Sequence, residues 1–147
     1  MAGQNQRSTL SALGSVFGPA RIATVLPWQA DRLELVCRVV DEDRRKRRLT
    51  ERLEKMCNPA FTGTITRMEL TGLLERKGFK VVYAESWHTW VSFQRWLKPH
   101  TPGQAARQLY RRLVADRGRN STGMCPFVER GKLFLQQSWL AITAEKR

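Results

Sequence analysis

The sequence is notable first for the segments and motifs it lacks. No run of about 18 apolar residues is present, which excludes a membrane-spanning helix in the sequence. There is no P-loop, G-x-G-x-x-G, HExxH or G-x-S-x-G motif, so the usual nucleotide, zinc-protease and serine-hydrolase chemistries are not indicated. Isolated acids such as Glu69, Glu75 and Glu85 show no paired-carboxylate spacing. We therefore expect no enzymatic activity and no cofactor, with a nuclease or recombinase left open because its acids could assemble from distant segments.

Cysteine and histidine are scarce and scattered. The chain has three cysteines, Cys37, Cys57 and Cys125, with no C-x-x-C pair, and two histidines, His88 and His100. This odd, widely spaced set predicts neither a disulfide framework nor a metal site. Reduced thiols are typical of an intracellular protein, in the cytoplasm, nucleoid or nucleus.

Acidic residues are outnumbered twofold. The chain of 147 residues carries 26 Lys and Arg against 13 Asp and Glu, a net charge of +13 with a pI near 10.8. Such an excess is the electrostatic footprint of a nucleic-acid binder. A solubility surface or an acidic protein partner is the alternative.

The first 27 residues contain no acid at all. They include Arg7 and Arg21 among Ser, Thr and Gly residues. This composition predicts a flexible basic arm at 1–27, with organelle import as an alternative role. Residues 28–147 are then expected to form a single compact domain.

Apolar residues in the first part of that domain recur at helical spacing. Leu33, Val36 and Val40 share one helical face, which predicts a helix from about Trp28 that ends at Asn58.

Eight consecutive charged residues, 41–48, interrupt this pattern. Three acid-first i,i+4 pairs predict a self-paired, exposed helix: Asp41–Arg45, Glu42–Lys46 and Asp43–Arg47. Arg44 and Arg48 have no such acidic partner, so they are candidates for phosphate contacts.

The next helix has clear boundaries. Thr66 and Glu69 form a capping box, and Gly78 is suited to a left-handed C-terminal cap. We therefore predict a helix over about 67–77, followed by a strand or extended link over 80–84.

A tryptophan-rich segment follows, and its spacing predicts a helix from Ser86 to before Pro99. Phe93 and Trp96 are candidates for stacking on a base or docking a protein partner. Aromatic stripes are mostly packing, so we favour a core role for them.

A third helix is predicted to begin with Thr101 as its cap and Pro102 in its first turn. Its exposed face carries five Arg and Gln residues: Gln104, Arg107, Gln108, Arg111 and Arg112. Arg117 and Arg119 follow. Arg can form paired hydrogen bonds with guanine or phosphate and Gln with adenine, so this face is the predicted nucleic-acid contact. A solvated amphipathic face is the alternative.

The C-terminal part predicts a β-hairpin around Gly131, with Arg130 and Lys132 at its tip as further nucleic-acid contacts. Residues 138–142 are expected to close the core as a strand or helix. The order of elements resembles a winged helix-turn-helix arrangement, mainly α with a small C-terminal hairpin.

The predicted function is therefore a non-enzymatic nucleic-acid-binding protein, either a DNA-binding regulator or a mobile-element protein. DNA is favoured over RNA as the partner because Arg and Gln suit base edges. An RNA-binding subunit of a ribonucleoprotein, or an adaptor that docks through its tryptophan-rich helix, is the alternative. We expect no membrane partner, and the sequence sets no oligomeric state.

Overall fold

The computed structural model describes residues 7–11, 22 and 26–147. The strands and helices follow one another along the chain in this order: β1 (Arg7–Ser11), β2 (Arg32–Val39), α1 (Arg44–Cys57), α2 (Arg67–Arg76), β3 (Phe79–Ser92), α3 (Phe93–Trp96), α4 (Gly103–Ala115), β4 (Phe127–Glu129) and β5 (Lys132–Lys146). Two of the strands are 14 and 15 residues long. The prediction of a mainly helical, winged-helix-like domain is therefore wrong, because the chain has an α/β fold.

One five-stranded sheet joins these strands in the order β1-β2-β5-β3, with β4 also paired to β5. β1 runs parallel to β2, and β2 runs antiparallel to β5, where Arg32 pairs with Glu145 and Val39 with Ser138. A hydrogen bond of 2.9 Å from Arg147 N to the Gly78 carbonyl ties the start of β3 to the end of β5.

β2 replaces the first half of the long helix predicted from Trp28. Its buried residues Leu33, Leu35 and Cys37 alternate with partly exposed ones, the period of two that a strand requires. Leu33, Val36 and Val40 also fit a helical spacing, so two periodicities were compatible with the same residues. Pairing with β1 on one side and β5 on the other stabilises the strand.

α1 begins at Arg44, three residues later than the predicted self-paired helix requires. Asp43 is its N-cap, and its carboxylate accepts hydrogen bonds from the amides of Arg45 and Lys46. Asp41–Asp43 are therefore outside the helix, and the three predicted i,i+4 pairs do not form as helical pairs. Lys46 instead lies 3.8 Å from the carboxylate of Asp41.

The chain divides into two compact units. The first comprises the described residues up to Val39, with Gly63–Trp87 and Ser138–Arg147. Its core consists of side chains from β2, α2, the start of β3 and the end of β5, among them Leu33, Leu74 and Leu140. The capping box of α2 is confirmed: Thr66 Oγ1 accepts from Glu69 N, and Glu69 accepts from Thr66 N.

The second unit comprises Val40–Thr62 and His88–Gln137. Its core consists of nine buried side chains: Leu53, Cys57, Phe93, Trp96, Leu109, Leu113, Met124, Leu133 and Leu135.

The predicted helix from Ser86 to Pro99 is wrong over most of its length. β3 extends to Ser92, and only the four residues of α3, Phe93–Trp96, are helical. Trp87 and Trp90 are 36% and 52% exposed, so they lie on the strand surface and not on a buried helix face. β-branched and aromatic residues dominate 81–91, and this composition suits an extended strand.

α4 is confirmed as a helix, but its cap differs from the predicted one. Pro102 occupies the N-cap position and makes no side-chain cap. The hydroxyl of Thr101 accepts from Lys98 N at 3.0 Å and donates to the Cys57 carbonyl at 2.7 Å. Thr101 therefore ties the loop before α4 to the end of α1.

The C-terminal hairpin is confirmed. β4 and β5 pair antiparallel from Phe127 with Phe134 to Glu129 with Lys132, and residues 138–142 are part of strand β5.

The predicted N-terminal arm, 1–27, falls largely outside the described residues, although Arg7–Ser11 forms β1. Among the described residues, no helix is long and apolar enough to cross a membrane.

Candidate functional site

A cavity in the second unit has both apolar and cationic walls. Its volume is about 470 Å³, within the range of small-molecule sites. We call it the aromatic cavity, and its lining residues come from α3 and the residues at its two ends, from α4 and from the hairpin: Ser92, Phe93, Gln94, Leu97, Ala106, Arg107, Tyr110, Arg111, Gly131, Lys132 and Leu133.

Two aromatic rings form part of the apolar wall. Phe93 and Tyr110 meet edge to face, with ring centroids 5.5 Å apart and planes at 71°. Phe93 is 8% exposed and belongs to the core of the unit, whereas Tyr110 is 41% exposed and leaves its ring accessible to a ligand. Such edge-to-face pairs are a favoured aromatic arrangement, so the wall has a defined shape.

Three cations surround this apolar wall. Arg107 and Arg111 are one helical turn apart on α4, and Lys132 begins β5. No carboxylate lines the cavity, and none of the three side chains forms an ion pair within the described chain. A guanidinium group can donate two parallel hydrogen bonds to one carboxylate or phosphate, so this rim is suited to an anionic group.

α4 positions the two arginines because its opposite face is buried. Leu109 and Leu113 have no exposed surface and pack in the core of the second unit. Arg107 and Arg111 therefore face outward with Tyr110 between them in sequence.

The structure brings together four of the residues predicted from the sequence: Phe93, Arg107, Arg111 and Lys132 line the aromatic cavity. Arg48 and Arg119 line a second concavity, and Arg44 lies outside both. The remaining residues of the predicted α4 face, Gln104, Gln108 and Arg112, are exposed outside the cavity.

Other predicted site residues have different surroundings. Arg117 Nε donates to the Val114 carbonyl at 3.1 Å, so this side chain covers the end of α4. Arg130 is exposed in the hairpin turn. Trp96 is 4% exposed, and its indole N–H donates to Glu54 Oε1 at 3.2 Å, which makes it part of the core.

Tyr110 and Leu97 also line the cavity but are not among the site residues predicted from the sequence. Tyr110 fits the apolar spacing of α4 with Ala106 and Leu113, which is typical of a buried face. Its position three residues after Arg107 and one before Arg111 could have indicated an aromatic ring beside two guanidinium groups.

The sequence matches no protein-family model, and no curated protein is significantly similar to it. Solved structures do match in fold. A putative methyltransferase from Bacillus halodurans C-125 superposes over 95% of this chain and 63% of its own, with a TM-score of 0.78 and 16% identity. The YcgJ protein from Bacillus subtilis superposes over 88% of this chain and 56% of its own, with a TM-score of 0.68 and 16% identity.

The chain therefore shares its fold with these two proteins. It spans less than two thirds of the length of either matched protein. This α/β fold contradicts the winged-helix interpretation, and with it the predictions of a DNA-binding regulator, an RNA-binding subunit or an adaptor with a tryptophan-rich helix. The prediction of a non-enzymatic protein, which was based on the absence of catalytic motifs, is contradicted as well, because a matched structure is described as a putative methyltransferase. The nucleic-acid partner expected from the charge stays a prediction.

Proposed function

We propose that this chain binds the acceptor substrate of a methyltransferase-type enzyme. The observation that carries the proposal is the superposition of 95% of the chain on a putative methyltransferase with a TM-score of 0.78. Because many functions share one fold, the substrate is argued from the site itself.

The aromatic cavity favours an organic anion with a flat apolar body. The rings of Phe93 and Tyr110 offer apolar contact, and the guanidinium groups of Arg107 and Arg111 with the Lys132 ammonium offer charge. An apolar pocket with a few convergent polar groups is the usual form of a small-molecule site. An aromatic carboxylic acid combines both properties in a molecule that a cavity of about 470 Å³ can hold.

A methyltransferase fold implies a methyl donor, and we tested whether these residues fit one of the nucleoside type. Nucleotide cofactors are commonly bound where closely spaced glycines let the backbone approach the ligand. Here every two glycines are at least four positions apart in the sequence. The buried carboxylates are already engaged, Glu54 by the Trp96 indole and Asp116 by Ser121 and Thr122. Among the residues that the structure describes, neither the glycines nor the buried carboxylates fit a nucleoside donor, so our proposal concerns the acceptor alone.

Binding of 2-naphthoate and of its uncharged analogue 2-naphthamide, measured by titration calorimetry, tests the proposal. We expect naphthoate to bind more tightly, because a hydrogen bond to a charged group contributes about 1.5–3 kcal/mol. Arg107→Gln and Arg111→Gln should each weaken naphthoate binding about tenfold or more and leave naphthamide binding unchanged.

Arg112→Gln is the matched control, since it removes the same charge from the same helix outside the cavity. Equal affinity for the acid and the amide, or an Arg112→Gln loss as large as that of Arg107→Gln, would contradict the proposal.

We also propose an intracellular location. All three cysteines are free thiols, and Cys37 and Cys57 are buried, which is typical of proteins in a reducing compartment.

A further inference from the structure

A second concavity in the second unit is lined mainly by cations. Its volume is about 520 Å³. We call it the basic cleft, and it lies between the first turns of α1 and the turn that follows α4. Its lining residues are Asp43, Arg45, Lys46, Arg48, Leu49, Arg52, Arg119, Asn120 and Ser121.

α1 supplies most of the charge through its helical period. Arg45, Arg48 and Arg52 are at positions i, i+3 and i+7, which places them on one face of the helix. Leu53 and Cys57 lie on another face and are buried in the core of the unit. Core packing therefore fixes which side of α1 its arginines occupy.

The turn after α4, which includes Arg119, is tied to α1 by hydrogen bonds. The Asp116 carboxylate accepts from Ser121 N at 2.8 Å and from Thr122 Oγ1 at 2.8 Å, and it also accepts from the Ser121 hydroxyl. Thr50 on α1 donates its hydroxyl to the Thr122 carbonyl. Asp116 fixes the conformation of the turn and Thr50 ties the turn to α1, so both walls of the cleft are held in place.

The charges in the cleft are poorly balanced. Five cations face one carboxylate, Asp43, which already accepts from two backbone amides as the cap of α1. Lys46 is partly compensated by Asp41 at 3.8 Å. Within the described chain, the guanidinium groups of Arg48, Arg52 and Arg119 form no ion pair. Like charges held together in a concave surface repel one another, and a multivalent anion would relieve that repulsion.

We propose that the basic cleft binds the di- or triphosphate group of a small ligand. A polyphosphate carries several negative charges over a short distance, and guanidinium groups can hydrogen-bond its oxygens in pairs. Asp43 occupies amides at the start of α1, so recognition depends on the arginines and not on the helix N-terminus. This polyphosphate ligand differs from the aromatic acid proposed for the aromatic cavity, where aromatic rings are combined with three cations.

Titration calorimetry with tripolyphosphate and orthophosphate tests this site in the full chain. We expect tripolyphosphate to bind at least tenfold more tightly, since it can engage more of the cations at once. The double variant Arg48→Gln/Arg52→Gln should weaken tripolyphosphate binding at least tenfold.

Arg44→Gln/Lys55→Gln is the matched control, because it removes two charges from exposed positions of the same helix outside the cleft. We expect it to change the affinity less than about threefold, as general charge attraction is screened by salt. Thermal melting should show that both double variants stay folded. If the Arg48→Gln/Arg52→Gln variant binds naphthoate as tightly as the natural chain, the basic cleft and the aromatic cavity are independent sites.

Three results would overturn the proposal. They are an equal loss of affinity in the two double variants, equal affinity for the two phosphates, and absence of tripolyphosphate binding while an oligonucleotide binds through Arg48 and Arg52. The last result would assign the cleft to nucleic acid.

Discussion

Asp116 is the residue on which the turn after α4 most depends. Burial raises the pKa of this carboxyl, but hydrogen bonds from Ser121 and Thr122 outweigh burial and hold the pKa below its usual value of 3.8. A carboxyl with a lowered pKa in the folded state stabilises the fold above the unfolded-state pKa. That contribution is lost as the pH falls through the folded-state pKa.

Asp116→Asn is therefore expected to be less stable than the natural chain at pH 7, by about 1–3 kcal/mol for a buried hydrogen-bonding site. The difference should persist at pH 5 and shrink below pH 4, where the natural Asp116 is increasingly protonated. Urea unfolding at pH 7, 5 and 3 measures it. Asp31→Asn at an exposed position is the control, and a difference that stays constant with pH would contradict the prediction.

Contacts between side chains and backbone groups close in sequence were the features best predicted from the sequence. The capping box of Thr66 and Glu69 needs only residues three apart, and it forms as expected. The Asp41–Arg45 pairing failed because it presumed a helix that starts only at Arg44. Asp43 instead serves as the N-cap of that helix.

At the scale of single elements, the hairpin turn offers a sharp test. Arg130 and Gly131 have φ of +50° and +74°, the left-handed conformation required at both positions of a two-residue type I′ turn. A Cβ on Gly131 would meet nothing within 4 Å, so space is not limiting there. Any penalty for a side chain at this position must come from the backbone conformation.

Gly131→Ala is therefore expected to lower the free energy of unfolding by about 1–2 kcal/mol. Gly72→Ala is the contrasting variant, because Gly72 lies inside α2 and a Cβ there meets only the flexible Arg76 side chain at 3.2 Å. It should gain about 0.5–1 kcal/mol from helix propensity. Guanidinium chloride unfolding of both variants measures the two effects, and the same sign of change in both would refute this account.

Helices and strands were predictable where only one periodicity fitted. α2, α4 and the hairpin had clear boundaries from Thr66, Pro102 and Gly131. β2 and the second half of β3 were mistaken for helices because their apolar spacing is compatible with both periods, whereas the strand or extended link predicted over 80–84 lies within β3. Long-range pairing with β5 decides between them, and no local pattern carries that information.

At the scale of the whole molecule, each unit contains one buried thiol in its core. Cys37 belongs to the first core and Cys57 to the second, whereas Cys125 is only partly buried. Burial raises the pKa of Cys37 to about 12, so near neutral pH it is a thiol and not the reactive thiolate.

We therefore expect a thiol reagent to label Cys125 first, and Cys37 and Cys57 only when their own cores open. Leu74→Ala should speed labelling of Cys37, and Leu113→Ala should speed labelling of Cys57, each with little effect on the other thiol. Mass spectrometry of timed samples in a Cys125→Ser background measures the rates. Equal acceleration of both thiols by either variant would show that the two cores open together.

The charge of +13 predicts arginine-rich surfaces but carries no information on the fold. Net charge constrains partners and solubility, whereas strand order depends on burial and pairing. Arg107, Arg111 and Lys132 could be proposed as contacts from the sequence alone. Only the structure shows that these residues line one cavity with Phe93 and Tyr110, because the lining residues are more than 30 positions apart in the sequence.

The pairing of β2 with β5 also has a consequence for synthesis on the ribosome. The ion pair of Arg32 with Glu145 joins residues 113 positions apart, while the hairpin closes over two residues. Nascent chains emerge at about 5–20 residues per second, so β5 emerges roughly 6–23 seconds after β2. During that interval a hydrophobic strand edge is unpaired and prone to aggregate, so this is the stage at which a chaperone would help most.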